Sequence, residues 1–263
     1  MKSLIVIPTY NERENIGSLV DDVLRIVPQC DILIVDDNSP DGTGALADEL
    51  AQRTGKVHVK HRAGKLGLGT AYVLGFEYAI QHEYDIVFEM DADYSHDPHY
   101  LPNFLKLAED ADLVIGSRYI HGGGTPNWAP LRKFISGGGN AFARTLLGIP
   151  THDCTGGFRC YRTEALKSID LSLIRAQGYA FQVEMAYLFW KRGYRVRELP
   201  IIFVDRRVGK SKMSRKIFLE AFSWVIRTRF TGDPAAALRR DSWARPHDSK
   251  ATSSEEPSQS TLA

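Results

Sequence analysis

Short apolar runs, most of them ending in charged residues, alternate along this chain with longer segments whose apolar residues recur every three or four positions. The runs at residues 3–7, 31–35, 57–61, 86–90, 112–118 and 195–204 are read as strands, and the mostly apolar run 86–90 as a buried one. Ile16, Leu19, Val20, Val23, Leu24 and Val27 fall at offsets 0, 3, 4, 7, 8 and 11, one face of an amphipathic helix. Further helices are expected after Gly42 through Leu46 and Leu50, and at about 70–82, 99–109, 131–147, 180–190 and 216–230. Strand and helix in alternation predict an α/β fold with a mostly parallel central sheet flanked by helices.

The segment 86–98 organises the rest. Its apolar run stops at Asp91-Ala92-Asp93, and Pro98 closes it. Open α/β sheets bind ligands beyond the carboxyl ends of their strands. Two carboxylates there are hard oxygen ligands suited to Mg²⁺ or Mn²⁺ shared with substrate phosphates. An isolated pair of this spacing is also an ordinary turn. A second carboxylate doublet, Asp36-Asp37, ends the run 31–35, where one member could bond a nucleobase or ribose and Asp41-Gly42 reads as a turn into a helix. Thr9-x-x-Glu12 fits a capping box and equally a ligand contact at a helix N-terminus. Gly64-x-x-Gly67-x-Gly69 reverses the dinucleotide-binding spacing, so it suggests a close backbone approach, with Lys65 on a phosphate or in solvent.

Cations reach the same rim. Arg118 ends the run 112–118, and residues 205–212 form a dense basic loop, either a solvated face or a phosphate site. Residues 121–128, with three consecutive glycines, are expected to be a mobile loop. His152 and Asp153 are adjacent in a polar, glycine-rich loop, and His152 is read as structural. The helix 216–230 either packs on the core or lies in a membrane interface.

Composition narrows the classes. The 263 residues, 43% apolar and 25% charged, suit a globular domain at 1–230 with a disordered tail at 231–263. A net charge of +1 argues against a general nucleic-acid binder. Three cysteines without metal spacing suggest free thiols in a reducing compartment. No run approaches the roughly 20 apolar residues of a spanning helix. The expectation is therefore a cytoplasmic protein, peripheral on the cytosolic face of a membrane.

Six motifs occur in order: Pro8-Thr9-Tyr10-Asn11-Glu12, Val35-Asp36-Asp37-Asn38-Ser39-Pro40-Asp41-Gly42-Thr43, Met90-Asp91-Ala92-Asp93, Gly116-Ser117-Arg118-Tyr119, Thr155-Gly156-Gly157-Phe158-Arg159 and Gly209-Lys210-Ser211-Lys212-Met213. Together the chain resembles the family 2 inverting glycosyltransferases, in particular the dolichol- or polyprenol-phosphate mannose synthases. The resemblance implies a GT-A fold and transfer of mannose from GDP-mannose to a polyprenyl or dolichyl phosphate. It implies that Pro8, Tyr10, Glu12, Val35 and Asp37 line the guanosine pocket. Asp91 and Asp93 hold Mg²⁺ or Mn²⁺ beside Ala92, and Ser95 stands where some relatives have a glutamine ligand. Arg118 and Arg132 bind the acceptor phosphate, while Arg206 and Lys212 clamp the donor phosphates. Asp93, Arg118 and Asp153 are the candidate catalytic residues, with Asp153 positioning the acceptor or supporting a cation. Membrane contact is expected through the helix 216–230, a separate membrane-anchoring subunit, or both. The rival readings are a glucosyltransferase using UDP-glucose or another family 2 transferase, a nucleotidyltransferase and an inactive nucleotide-binding module.

Overall fold

The computed structural model describes residues 1–174, 176–204 and 215–232, with the backbone alone for 215–220. Among these the strands are β1 (Ser3–Thr9), β2 (Asp31–Asp36), β3 (Val57–His61), β4 (Ile86–Glu89), β5 (Leu113–Ser117), β6 (Arg159–Arg162) and β7 (Val196–Pro200), and β6 is the one that falls outside the expected runs. They build one sheet in the order β3-β2-β1-β4-β6-β5-β7. Every pairing is parallel except those of β6, which runs antiparallel between β4 and β5. The helices are α1 (Arg13–Ile26), α2 (Thr43–Thr54), α3 (Leu68–Gln81), α4 (Leu101–Leu107), α5 (Pro130–Leu147), α6 (Thr163–Lys167), α7 (Gly178–Lys191) and α8 (Arg215–Thr231).

The twofold alternation of β1 divides the core between the two faces of the sheet. Leu4 and Val6 pack with Phe76, Tyr161 and Phe181 on the side of α3 and α7, whereas Ile5 and Ile7 pack with Ile16, Leu19 and Phe104 on the side of α1 and α4. Both faces are covered over β1, β2, β4 and β5, which are mostly apolar and almost wholly buried, whereas β3 and β7 at the sheet edges carry polar and exposed residues. Close approach is built in at Gly75 of α3, where an added Cβ would stand 2.6 Å from both Cγ atoms of Val6.

Three expectations change. The capping box does not form: Thr9 Oγ1 donates to Asp36 Oδ1 at 2.9 Å, and α1 starts at Glu12 without a side-chain cap. The segment 121–128 is tied rather than loose. Gly124 N–H donates to Ile201 C=O and Phe203 N–H to Gly124 C=O, a parallel bridge that prolongs β7, and Trp128 is buried. The run 195–204 yields the strand only as far as Pro200 and that bridge.

All three cysteines are free and buried, and burial pushes their thiols up, Cys30 to about 11 and Cys154 to about 12. No described helix is long and apolar enough to cross a membrane. α8 packs on α5 and α7, with Phe222 stacked on Phe142 at 4.5 Å. It still exposes Phe222, Ile226 and Phe230, spaced one helical turn apart, and α5 exposes Leu131, Phe134 and Ile135 near its start.

Two glycines give opposite expectations. Gly75→Ala drives a methyl into Val6 and should cost a net 1–2 kcal/mol or so, overpacking outweighing helix propensity. At Gly137 of α5 an added Cβ meets nothing within 4 Å, so Gly137→Ala should gain about 0.5–1 kcal/mol. Urea denaturation midpoints measure both.

Candidate active site

The carboxyl ends of the parallel strands open onto a cleft of about 600 Å³. From the exit of β1 come Pro8, Tyr10 and Glu12, and from β2 comes Asp37. β3 contributes Arg62 and Lys65, whose ammonium lies 4.7 Å over the Tyr10 ring. β4 delivers Asp91, Ala92, Asp93, Ser95 and His96; β5 delivers Arg118; and Arg132, Tyr179 and Gln182 close the far wall from α5 and α7. Val35 is not in this lining. Its side chain is fully buried in the core against the α3 face, a strand position one residue short of the rim. Arg206 and Lys212 lie outside the described residues.

The Asp36-Asp37 doublet divides its work. Asp36 is buried and accepts from Thr9 Oγ1, Ser39 N–H and Ser39 Oγ, which staples β1 to the turn after β2. Asp37 faces the cleft; burial pushes its carboxyl up, and an ion pair with Arg62 opposes that shift. Arg62 also donates to Thr70 Oγ1 at 2.7 Å and to Gly67 C=O at 3.1 Å, fastening the glycine loop ahead of α3. The close approach expected of that loop is to the chain itself. A Cβ at Gly69 would stand 2.7 Å from the Ala176 carbonyl oxygen, and Gly69 N–H donates to Gln177 Oε1.

Asp91 is only partly exposed. Tyr72 of α3 donates its hydroxyl to Asp91 Oδ1 at 3.2 Å, and the Asp91 N–H donates to His96 Nδ1 at 3.0 Å. Asp93 Oδ1 accepts from Ser95 N–H at 3.0 Å. The turn between them needs left-handed backbone at Tyr94, φ 63°, where a bulky residue is strained. Ser95 Oγ is buried and has no hydrogen-bond partner among the described residues. Two carboxylates and an orphaned hydroxyl are hard oxygen donors, and they fit a divalent cation of the Mg²⁺ or Mn²⁺ kind. Among the described residues no three His, Cys, Asp or Glu side chains converge as a complete metal cage. Such an ion would therefore take its remaining ligands from a substrate and water.

Arg118 is buried and held by Asp153 through two of its guanidinium nitrogens. Its Nε donates to Oδ2 at 2.7 Å and its Nη2 to Oδ1 at 2.8 Å, while its own N–H also reaches Oδ2. Asp153 Oδ1 accepts further from Thr155 N–H and Gly156 N–H. Burial would raise the Asp153 carboxyl, but Arg118 and these donors hold it below the usual carboxylate range. Asp153 has no exposed surface and does not line the cleft, so it acts on the site through Arg118 and Thr155, which do line it. His152 turns away from it and meets Glu198 Oε2 at 2.9 Å, as a structural histidine would. Next to Arg118, the Trp128 ring lies between two guanidiniums, 5.6 Å from that of Arg118 and 4.0 Å from that of Arg132.

A second cavity of about 430 Å³ adjoins the cleft. Trp128, Arg132, Thr155 and Tyr179 line both. Its other walls are mostly apolar: Leu131, Ile135, Phe142 and Ala143 of α5, Val183 of α7, and Ala221, Phe222 and Val225 of α8. The residues that sequence reasoning missed are Arg62, Tyr72, His96, Trp128, Tyr179 and Gln182. Arg62, Tyr72, Tyr179 and Gln182 are brought in by packing between elements distant in sequence, which no spacing marks, whereas His96 lies five residues after Asp91 and returns to it through the left-handed turn at Tyr94.

Residues 4–170 match the family model described as Glycosyl transferase family 2. The chain belongs to that family, and its architecture is the GT-A fold. It is 47% identical over 234 residues to a polyprenol monophosphomannose synthase of Mycolicibacterium smegmatis, covering 87% of this chain and 88% of that one. It is 45% identical over 236 residues to an undecaprenyl-phosphate mannosyltransferase of Micrococcus luteus, covering 88% and 97%. Among solved structures, mannosyl-3-phosphoglycerate synthase from Rubrobacter xylanophilus superposes with a TM-score of 0.62 at 19% identity, covering 93% of this chain and 78% of that one. A mannosyltransferase from Pyrobaculum calidifontis in complex with GDP-Man and Mn²⁺ gives 0.52 at 16%, covering 90% and 73%.

Removing Asp153 strands a buried cation. Asp153→Asn should cost about 3–5 kcal/mol in urea unfolding near neutral pH. The Asp153 carboxyl is held below its unfolded value, so its contribution is complete above about pH 4 and is lost as the pH falls through the folded value. The gap between wild type and Asp153→Asn should narrow over that acidic range.

Proposed function

We propose that this chain transfers mannose from GDP-mannose to a polyprenyl monophosphate with inversion, releasing GDP and a polyprenyl-phosphate mannose. The observation that carries the reading is the sharing of a wall: a charged cleft and an apolar cavity meet at Trp128 and Arg132. An acceptor with a phosphate head and a hydrocarbon tail needs both environments, side by side. The two relatives above 40% identity, named for a polyprenol and an undecaprenyl phosphate, support the same acceptor class.

In this reading Pro8, Tyr10, Glu12 and Asp37 line the guanosine end of the cleft. Asp91 and Asp93, with Ser95 beside them, would hold a divalent Mg²⁺ or Mn²⁺ ion, which when bound supplies Lewis-acid stabilisation to the departing diphosphate. The neighbour that carries GDP-Man and Mn²⁺ supports that choice of donor and ion. The nucleophile is a phosphate oxygen already ionised at neutral pH, so orientation matters more than a general base. Arg118 and Arg132 provide it through the guanidinium fork. Asp153 keeps Arg118 in place, and Arg118 Nη1 makes no hydrogen bond to a described residue. The donor-phosphate roles of Arg206 and Lys212 rest on the family resemblance alone.

The tail of the acceptor belongs in a bilayer. Leu131, Ile135 and Phe222 both line the apolar cavity and are exposed, and Phe134, Ile226 and Phe230 extend the apolar surface, with Lys133, Arg227 and Arg229 exposed among them. Such a surface suits peripheral attachment at the cytosolic face of a membrane, alone or beside an anchoring subunit.

Purified protein given GDP-mannose, undecaprenyl phosphate and Mg²⁺ or Mn²⁺ should form a lipid-extractable mannoside, and GDP should compete better than UDP. Asp93→Ala should lower turnover at least about 100-fold with an unchanged circular-dichroism spectrum; retained turnover would refute the role assigned to Asp93. Ala221→Phe, which fills the apolar cavity, should raise KM for the long acceptor about tenfold and spare a short prenyl phosphate. Equal effects on both acceptors would remove the cavity from the account.

A further inference from the structure

The scheme above uses the Asp91 carboxylate but not the side chain that fixes its backbone. His96 sits in the cleft wall, 2% exposed, and its Nδ1 accepts the Asp91 N–H at 3.0 Å. A backbone N–H can only donate. Nδ1 is therefore the bare nitrogen and Nε2 carries the hydrogen. That Nε2–H stands 3.9 Å from Asp91 Oδ2, too far for a hydrogen bond in this state and close enough to follow the carboxylate if it shifts.

The ring is itself clamped. It stacks on Phe158 with centroids 4.9 Å apart and planes 11° from parallel, and it meets the edge of Phe203 at 5.9 Å. The left-handed turn at Tyr94 bends the chain so that a residue five positions on returns to Asp91. A strained turn, a ring held on both sides and a single defined acceptor have one common product, a fixed direction for the Asp91 carboxylate. Tyr72 adds a second tether from α3 to the other carboxylate oxygen.

We propose that His96 is a positioning residue for Asp91, accepting its backbone N–H through Nδ1 so that the carboxylate is presented to the cleft in one orientation. The inference rests on the reading of Asp91 as a ligand of a divalent cation, and it concerns how that ligand is held. His96 touches neither the sugar nor the phosphates in this account.

Two variants separate the role from simple filling of space. The amide oxygen of His96→Asn can stand where Nδ1 stands, whereas His96→Leu keeps bulk and loses the acceptor. Nitrogen NMR of the wild type at neutral pH should find Nδ1 bare and Nε2 protonated in His96. Amide exchange at Asp91 should quicken at least about tenfold in His96→Leu and stay near wild type in His96→Asn. Titration of Mn²⁺ by electron paramagnetic resonance in the presence of GDP should find affinity weakened about 10–100-fold in His96→Leu and largely restored in His96→Asn. Metal-free GDP affinity should be the same in all three. A hydrogen on Nδ1, unchanged exchange at Asp91 in His96→Leu, or Mn²⁺ binding as tight as wild type in that variant would each overturn the proposal. If the wild type takes up no Mn²⁺ with GDP, the cation reading fails by itself, and the exchange rate at Asp91 still decides the part played by His96.

Discussion

The buried pair of Arg118 and Asp153 is the constraint on which the rim of the sheet depends. It joins the end of β5 to the loop that leads into β6, and the loop lies close: a Cβ at Gly156 would stand 2.9 Å from the Gly116 carbonyl oxygen. Against a well-packed apolar alternative a buried ion pair is a poor source of stability. What it secures is a guanidinium whose location is fixed before any ligand arrives, with its charge already balanced from behind. Burial on one side and the paired bonds from Nε and Nη2 to Asp153 on the other turn a flexible cation into part of the wall.

Around that wall the same residue type does different work according to its neighbours. Asp36 is consumed by Thr9 and Ser39 and closes a turn, while Asp37, one residue on, reaches the cleft and meets Arg62. Asp153 has no surface, whereas Asp91 faces the cleft, held by Tyr72. Glu89, two residues before Asp91, lies wholly inside the protein with its carboxyl raised to about 7 by burial, bonded to Tyr161 and Gln182. Gln182 in turn lines the cleft, so the polar interior behind the sheet and the rim in front of it form one connected structure.

Strands β1, β2, β4 and β5 were legible because each is built on a run of apolar residues that gives way to polar or charged ones, and the amphipathic period of α1 was equally plain. β6 was not. Arg159-Cys160-Tyr161-Arg162 is four residues with arginine at both ends, and it becomes a strand only because β4 and β5 pair with it from either side. Its buried arginine bonds the carbonyls of Cys154 and Gly156, partners that no local pattern announces. The capping box is the opposite case. Thr9 and Glu12 have the right spacing, but Thr9 still belongs to β1 and the N-cap of the helix falls three residues later, at Glu12 itself. In the site, Asp37, Asp91, Asp93 and Arg118, each at a strand exit, line the cleft, whereas Val35, expected there from the family resemblance, lies one strand position short of the rim with its side chain in the core. Of the groups that orient these residues, Arg62 and Tyr72 come from packing, and His96 from the local turn at Tyr94.

The burial of Cys30, Cys154 and Cys160, with thiols shifted far above neutral pH, has a practical side. The folded surface carries no native sulfhydryl that an alkylating probe could reach. A cysteine introduced on the outward face of α5 or α8 would then be the one site of labelling. Fluorophores or spin labels attached there would report whether these helices contact added lipid vesicles, without any native residue first being removed.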